Sequence, residues 1–362
     1  MLYKDLVIIG GGPAGLKAAA VAAKAGQKAL IIDRFWCLGG QLIKQTHMFF
    51  GSEKQYAKTR GFDIANTLID DINQYRELVD VWVNATVLAL YSDKVISIYK
   101  DNEYIKIKAK IIIVATGASE RVLAFENNDL PGIYGAGSVQ TLMNVYGIKP
   151  GNKLLMVGSG NIGLIVSYQL MQAGVEVVGI VEASDKISGY KVHASKIKRL
   201  GVDILTSTTI KKAIGIDKVE EVILINLDNE WNEIQNTERK IKVDGVCIAV
   251  GLIPLTNLLS MAGVEMKYIS ELGGMVAVTN DLFETSVENV FVCGDASGIE
   301  EASSAMVEGM IVGLVATKKL GTEIIDYESQ LSDFKNQLNV LRNGPYGSKI
   351  RNGLKKLENK LC

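Results

Sequence analysis

The chain has 362 residues, 48% of them hydrophobic and 22% charged, with a net charge of −1. That length admits two or three domains of ordinary globular composition. The near-zero charge offers no basic field for nucleic acid, and four scattered cysteines without a C-x-x-C exclude the expectation of a disulfide framework or a metal site. No apolar run approaches the ~18 residues of a membrane span. The first strand pattern begins almost at Met1 and leaves no room for a signal peptide, so a cytoplasmic protein is expected.

The first predicted element is a strand over residues 6–9, an apolar run suited to burial on both faces. It runs into Gly10-Gly11-Gly12-Pro13-Ala14-Gly15 and then a helix of small residues. Strand, glycine turn and helix in that order form a dinucleotide grip. Gly10 permits the sharp turn, Gly12 lets a pyrophosphate approach the backbone, and Gly15 lets the helix lie close on the strand. Pro13 has its φ preset for a first helical turn. The helix N-terminus then presents N–H groups and partial positive charge to phosphate. A second apolar run, residues 29–32, ends in Asp33, at about the ~20-residue offset of a ribose-binding acid.

Residues 34–52 read as a long aromatic and polar loop that includes Gly39-Gly40-Gln41-Leu42 and Gln45-Thr46-His47. Loops of this length are functional or disordered, and the aromatics argue against disorder. A helix is predicted over 62–75, alternating strands over 79–90 and 95–107, and a buried strand over 111–115 ending at Thr116-Gly117. A short helix over 139–146 precedes a return of the opening pattern. Residues 154–157 lead into Gly158-Ser159-Gly160-Asn161-Ile162-Gly163, a helix to about Ala173, and a strand over 175–181 that ends in Glu182.

This repeat is an internal duplication of one supersecondary unit. Two ADP grips imply two dinucleotides on one chain; the alternative is a second grip kept as a structural prop. Glu182 would accept hydrogen bonds from a ribose 2′-OH and repel a 2′-phosphate, and residues 181–185 contain no arginine. NAD(H) is therefore expected in preference to NADP(H). A helix over 191–200, strands near Ile204 and over 222–226, 240–243 and 246–250, and a turn at Gly251 and Pro254 complete the second unit. A strand over 290–293, a helix over 301–320 and two helical stretches after Asp326, broken at 343–347, follow.

On these residues the chain resembles the pyridine nucleotide-disulfide oxidoreductase superfamily, in its two-dinucleotide-binding-domain flavoprotein class, over residues 1–325. The motifs that carry the resemblance are the first glycine turn with Asp33, Gly39-Gly40-Gln41-Leu42, Ala115-Thr116-Gly117, the second glycine turn, Gly251 with Pro254, and the run from Thr285 to Gly294-Asp295. The resemblance implies FAD in the first unit and NAD(P)H in an inserted second unit. It implies that Gly10, Gly12, Pro13, Ala14 and Gly15 hold the FAD pyrophosphate and Asp33 its adenosine ribose. Arg34, Gly40, Gln41, Leu42, Thr46, Val87, Ala115, Thr116, Gly117, Gly294, Asp295 and Ala302 would line the same cofactor. Gly158, Gly160, Asn161, Ile162, Gly163, Glu182 and Gly251 would hold NAD.

One departure matters. Disulfide reductases of this class carry a redox cysteine pair beside the flavin or in the nucleotide unit. Cys37 stands alone in its loop, and residues 137–157 hold no cysteine. Electrons on a flavin would need another exit: oxygen, a quinone, a soluble acceptor or a partner protein. The stretches from Gly40 to Ser52 and from Gly135 to Leu142 resemble a disulfide-free subfamily. It includes α subunits of dye-linked proline, hydroxyproline and opine dehydrogenases, sarcosine-oxidase-α-like and hydrogen-cyanide-synthase-like subunits, and companions of anaerobic glycerol-3-phosphate dehydrogenases. In such assemblies this subunit handles NADH or passes electrons while a partner oxidises the substrate. Some relatives add a C-terminal iron–sulfur module, for which this tail has no cysteine cluster.

Other residues carry weaker signals. His47 is a candidate flavin donor or proton shuttle, with a loop histidine held by a carbonyl as the alternative. His193, among Lys191, Lys196, Lys198 and Arg199, reads as surface, and Cys247 and Cys293 as core. Glu300 and Glu301 either flank the flavin edge or charge the first turn of a helix, and the second reading is preferred because it needs nothing further. Lys349, Arg351, Lys355, Lys356 and Lys360 make the tail basic, either a solvated face or a dock for an acidic partner.

The expected fold is α/β. Two Rossmann-like three-layer dinucleotide-binding domains, the second inserted in the first, precede a short helical C-terminal tail. Residues 1–125 with 252–325 would bind FAD, 126–251 would bind NAD(P)H, and 326–362 form the tail. The expected function is an FAD-dependent oxidoreductase that passes a hydride between NAD(H) and FAD and then electrons to a non-disulfide acceptor. It would act as a homo-oligomer or with a dehydrogenase or iron–sulfur partner subunit. The alternative is an electron-transfer or scaffolding subunit of an amino-acid, opine or glycerol-3-phosphate dehydrogenase complex, inactive alone.

Overall fold

The first apolar run becomes a strand with two buried faces. In the computed structural model, β1 (Leu2–Ile9) turns Leu6 and Ile8 into one apolar cluster and Val7 and Ile9 into another. The structure describes residues 1–344 and 347–358, so Lys360 of the basic tail and Cys362 lie outside the described residues.

After β1 come α1 (Pro13–Lys24), β2 (Ala29–Ile32), α2 (Gly61–Asn73), β3 (Val79–Trp82), β4 (Thr86–Leu90), β5 (Val95–Lys100) and β6 (Glu103–Val114). The sheet order is β3-β2-β1-β6-β5-β4, parallel from β3 to β6 and antiparallel through the hairpins. Two predicted strands differ from this. The run over 79–90 breaks at Asn84, whose φ is 49°, and the run over 95–107 is a hairpin turned at Asp101 and Asn102, with φ 52° and 64°. Its return strand β6 absorbs the apolar segment predicted separately. Asp and Asn enter left-handed backbone more readily than most residues, a preference that alternation alone does not reveal.

The chain then passes through β7 (Ala118–Glu120) into β8 (Ile133–Gly135), α3 (Ala136–Gln140), β9 (Lys153–Val157), α4 (Asn161–Gln172), β10 (Glu176–Val181), α5 (Lys191–Arg199) and β11 (Ile204–Leu205). Next are β12 (Thr208–Ile214), β13 (Glu221–Asn226), β14 (Arg239–Lys242) and β15 (Gly245–Ile248). A parallel sheet runs β11-β10-β9-β15-β8, and β12-β13-β14 form a separate antiparallel sheet. One face of the parallel sheet packs Leu154, Met156 and Ile180 with helix residues Leu164, Leu170 and Ile197. The other packs Leu155, Val157 and Val181 with Ala213, Val222 and Leu224 of the antiparallel strands. Strand β12 was not expected; a register shift between Ile210 and Lys212 breaks its alternation.

The return brings β16 (Leu252–Pro254), α6 (Asn257–Met261), β17 (Met266–Ile269), β18 (Gly274–Ala277), β19 (Val290–Val292), α7 (Ala302–Lys319), α8 (Tyr327–Arg342) and α9 (Ser348–Glu358). β19 pairs in parallel with the end of β6 and completes the first sheet. Helix α7 lies directly on α1. A Cβ at Gly309 would sit 2.1 Å from the Ala14 carbonyl oxygen, and one at Gly313 2.4 Å from that of Ala18, so only glycine allows this backbone approach. Leu331 and Leu338 of α8 join the α1–α7 core, and Leu357 of α9 joins Ile269 and Leu272.

Two compact units result: Met1–Ser119 with Ile253–Cys362, and Glu120–Leu252. Each is an α/β layer structure around its own sheet, mixed in the first unit and parallel in the second, and the tail helices belong to the first unit. No helix among the described residues is long and apolar enough to cross a membrane.

Candidate functional site

In each unit the glycine turn follows the carboxyl end of a central parallel strand, where open α/β sheets bind ligands. In the first, Gly10 has φ 111°, and a Cβ there would lie 2.2 Å from the Ala115 carbonyl oxygen. A Cβ at Gly15 would lie 1.9 Å from the Gly10 carbonyl oxygen. The chain itself demands both glycines. Gly12 is different. Its φ of −78° and ψ of −174° suit any residue. A Cβ there would meet only the Gly40 Cα, at 3.8 Å. No protein atom excludes a side chain at position 12, which is the shape a pyrophosphate cradle requires.

The surrounding residues converge on this turn. Asp33 Oδ2 accepts the Gly11 N–H at 2.6 Å, and Oδ1 accepts the Phe35 N–H at 2.7 Å. A carboxylate has about four acceptor positions, so others remain open on Asp33. The Gly39 N–H donates to the Gly11 carbonyl at 2.8 Å, which sets the turn through Gly40, exposed Gln41 and buried Leu42 against the glycine loop. Gly294, with φ 69°, stands on Ala14, where a Cβ would come within 2.9 Å of the Ala14 side chain. The Thr116 hydroxyl donates to the Leu255 carbonyl at 2.7 Å, and the Gly117 carbonyl accepts the Leu255 N–H at 2.9 Å. Pro13 and Ala302 open α1 and α7. Arg34, next to Asp33, is exposed, and Val87 pairs with Ile98 in the β4–β5 hairpin. The Thr46 carbonyl accepts from Arg60, and His47 stacks on Phe49 with ring centroids 5.7 Å apart.

The second turn repeats the first, atom for atom in its logic. A Cβ at Gly158 would lie 2.3 Å from the Ala249 carbonyl oxygen, and one at Gly163 2.1 Å from that of Gly158. Gly160 has φ −65° and ψ 173°, and a Cβ there would meet only Ser188 Oγ, at 3.9 Å. Glu182 takes the place of Asp33. Its Oε2 accepts the Ser159 N–H at 3.0 Å and the Ser159 hydroxyl at 2.6 Å, and lies 3.1 Å from Ser188 Oγ. Its Oε1 accepts the Ser184 N–H at 3.1 Å. These serines fix the carboxylate without a cation, and sequence reasoning did not foresee them. Asn161 Oδ1 accepts the Tyr190 N–H at 2.8 Å, Ile162 is exposed, and the Gly251 carbonyl accepts the Arg121 N–H at 3.0 Å.

Glu301 is exposed at the N-cap of α7, as a charge at a helix start should be, whereas Glu300 precedes the helix and its side chain is only 8% exposed. Arg342, the last residue of α8, holds it bidentately, with Nε 3.0 and 3.1 Å from the two carboxylate oxygens and Nη2 2.5 Å from Oε1. The same Nη2 donates to Glu308 Oε1 at 2.5 Å. Glu308 is 2% exposed, and its Oε2 accepts the Gly294 N–H at 2.7 Å and lies 2.8 Å from Ser297 Oγ. The only sequence signal for this cluster was a lone acid in the apolar helix α7. Cys37, Cys247 and Cys293 are free thiols. The last two are fully buried, as core cysteines should be, and burial pushes both thiols up. His193 is half-buried and stacks on Tyr190; burial lowers its pKa.

Burial pushes the Asp295 carboxyl up to about 6. Burial likewise raises Glu308 well above the usual carboxylate range, against the pull of Arg342. A carboxyl whose folded pKa is raised adds stability that is complete below its unfolded pKa and is lost as pH climbs through the folded one. The melting temperature of the wild-type apoprotein relative to Glu308→Gln is therefore expected to fall as pH rises from about 4.5 through the neutral range. Thermal melts of both proteins across that range check this; a pH-independent difference contradicts it.

The profile of the pyridine nucleotide-disulphide oxidoreductases matches residues 4–309. The HcnB subunit of hydrogen cyanide synthase from Pseudomonas protegens is 26% identical over 85% of this chain and 69% of its own length. An opine oxidase component from Agrobacterium tumefaciens is 23% identical over 88% of this chain and 66% of its own. The alpha chain of sarcosine oxidase from Corynebacterium is 25% identical over 90% of this chain but only 33% of its own. The chain thus spans about two thirds of the first two relatives and a third of the last. Among solved structures, thioredoxin reductase of T. acidophilum superposes with TM-score 0.72 at 22% identity, over 88% of this chain and 99% of that one. L-proline dehydrogenase of P. horikoshii superposes with TM-score 0.68 at 23% identity, over 92% of this chain and 59% of that one. The paired glycine turns, the acids that close them and the matched profile together place this chain in the pyridine nucleotide-disulphide oxidoreductase family.

Proposed function

We propose that the protein is an FAD-dependent oxidoreductase that takes reducing equivalents from NADH and delivers them to an acceptor other than a protein disulfide. The observation that carries this reading is the pair of glycines, Gly12 and Gly160, at which the chain leaves a side chain's room without needing it. Bound flavin would supply hydride acceptance and onward electron transfer, chemistry that belongs to the cofactor. The chain's own work is to hold and orient. The turn at Gly10–Gly15 with the N-terminus of α1 receives a pyrophosphate, Asp33 receives ribose hydroxyls, and Asp295 with the N-terminus of α7 faces the flavin end. In the second unit, Gly160 with α4 receives the NADH pyrophosphate. Glu182, pinned by Ser159, Ser184 and Ser188, accepts the ribose hydroxyl and repels a 2′-phosphate.

No acid–base step is assigned to His47. Cys37 lies in the loop after β2, while Cys247 is buried in β15 and Cys293 is buried just after β19, an arrangement that supports a non-disulfide acceptor. The names of the relatives support a second element of the proposal. Several are subunits of named oxidases or synthases. This chain would act as the nucleotide-handling subunit of such an assembly, with the substrate oxidised by a partner. Calorimetric titration tests the binding claims directly. One FAD and one NADH per chain, with NADPH weaker than NADH, are expected; a single nucleotide site, or equal affinity for NADPH, contradicts the reading.

A further inference from the structure

We infer that Arg342, in the C-terminal tail beyond the matched profile, is a positioning residue for the flavin end of the first site. The inference rests on the flavin reading of that site. Gly294 turns the chain into Asp295 with φ 69°, and its N–H is held by Glu308 Oε2 at 2.7 Å. Ser297, on the far side of the same bend, lies 2.8 Å from that oxygen. One carboxylate oxygen therefore ties both ends of the bend to α7. The other oxygen, Oε1, receives Arg342 Nη2, which also grips Glu300 just before α7 begins. Burial disfavours the ionised form of Glu308, and Arg342 is the charge partner that opposes this. It is a fork that serves two acids at once, a geometry available to guanidinium but not to ammonium.

The consequence is a clasp. Arg342 keeps Glu308 able to accept from Gly294 and Ser297, and it neutralises the Glu300 carboxylate beside the start of α7, where an unpaired negative charge would oppose the anionic groups of a bound dinucleotide. The tail helix α8 thereby sets the shape and charge of a bend, Gly294–Ser297, that lies far earlier in the sequence.

The test uses the full-length chain stripped of nucleotide and titrated with FAD by flavin fluorescence. Hydrogen exchange is followed in parallel at residues 294–297. Arg342→Gln is expected to weaken FAD binding at least tenfold and speed exchange at the bend, and Arg342→Lys to fall between it and wild type. Lys335→Gln, on the same helix as Arg342, removes an exposed pair with Asp281 and is expected to change neither. A folded Arg342→Gln protein with wild-type FAD affinity overturns the inference, including the case in which only its melting temperature falls. If that variant does not fold, Arg342→Lys and Glu300→Gln carry the same comparison, and wild-type affinity in both overturns it. If wild type itself takes up no FAD, the flavin reading fails and exchange alone decides: an unchanged bend in the variants overturns the clasp.

Discussion

Gly12→Ala is expected to give a folded protein that has lost its flavin. The backbone at position 12 is already in a conformation alanine adopts, and the new Cβ meets nothing nearer than 3.8 Å. Substitutions of glycine at compatible torsions change stability by about 0.4–1 kcal/mol, in the stabilising direction. The methyl group instead occupies the approach of the pyrophosphate to the backbone N–H groups at the start of α1. A loss of about 100-fold in FAD affinity, about 2.7 kcal/mol, is expected. Gly15→Ala is the contrasting case. Its Cβ would stand 1.9 Å from the Gly10 carbonyl oxygen, so the strand and helix must separate, and overpacking of this kind costs about 1–3 kcal/mol or more. Flavin content and circular dichroism of the two variants separate a ligand glycine from a packing glycine. Retention of wild-type FAD affinity by Gly12→Ala would show that the open space there serves no pyrophosphate.

Gly160→Ala is expected to leave the protein yellow and make it unresponsive to NADH. The position has the same torsions and the same freedom, with Ser188 Oγ as the nearest atom at 3.9 Å. Because Gly160 lies in the unit Glu120–Leu252, the first grip is left intact. NADH affinity is expected to fall about 100-fold, again about 2.7 kcal/mol, with FAD content unchanged. Rapid mixing of the variant with NADH, read at the visible flavin band, measures this. Reduction at the wild-type rate and NADH dependence would assign the second grip a structural role instead.

The parts of the site that were legible in the sequence are local. Gly10, Gly12, Gly15 and Asp33 fall within one strand–helix–strand unit, and so do Gly158, Gly160, Gly163 and Glu182. Each unit announces itself through apolar periodicity and a turn that only glycine can make. What was not legible depends on packing between distant elements. Arg342 reaches Glu308 only because α8 lies on α7, and nothing in the composition of a polar tail helix marks its last residue as the partner of a buried acid. Ser188 meets Glu182 because the loop before α5 folds back on the glycine turn, where the Gly189 N–H donates to the Ser159 carbonyl at 2.9 Å. The cover on Glu300 is not legible for the same reason, since it comes from a helix forty residues later. Strand β12 escaped because one irregular residue shifts the phase of its side chains, and the period-2 signal is lost there.

The central claim is that one polypeptide carries two nucleotide grips that cooperate in a redox half-reaction. Adding NADH to the flavin-loaded protein in the absence of oxygen tests it most directly. The account predicts that the visible flavin band bleaches as NADH is consumed, one NADH per flavin, and returns when an oxidant is admitted. A flavin band that persists in the presence of excess NADH, in protein shown to hold its full complement of FAD, would contradict it.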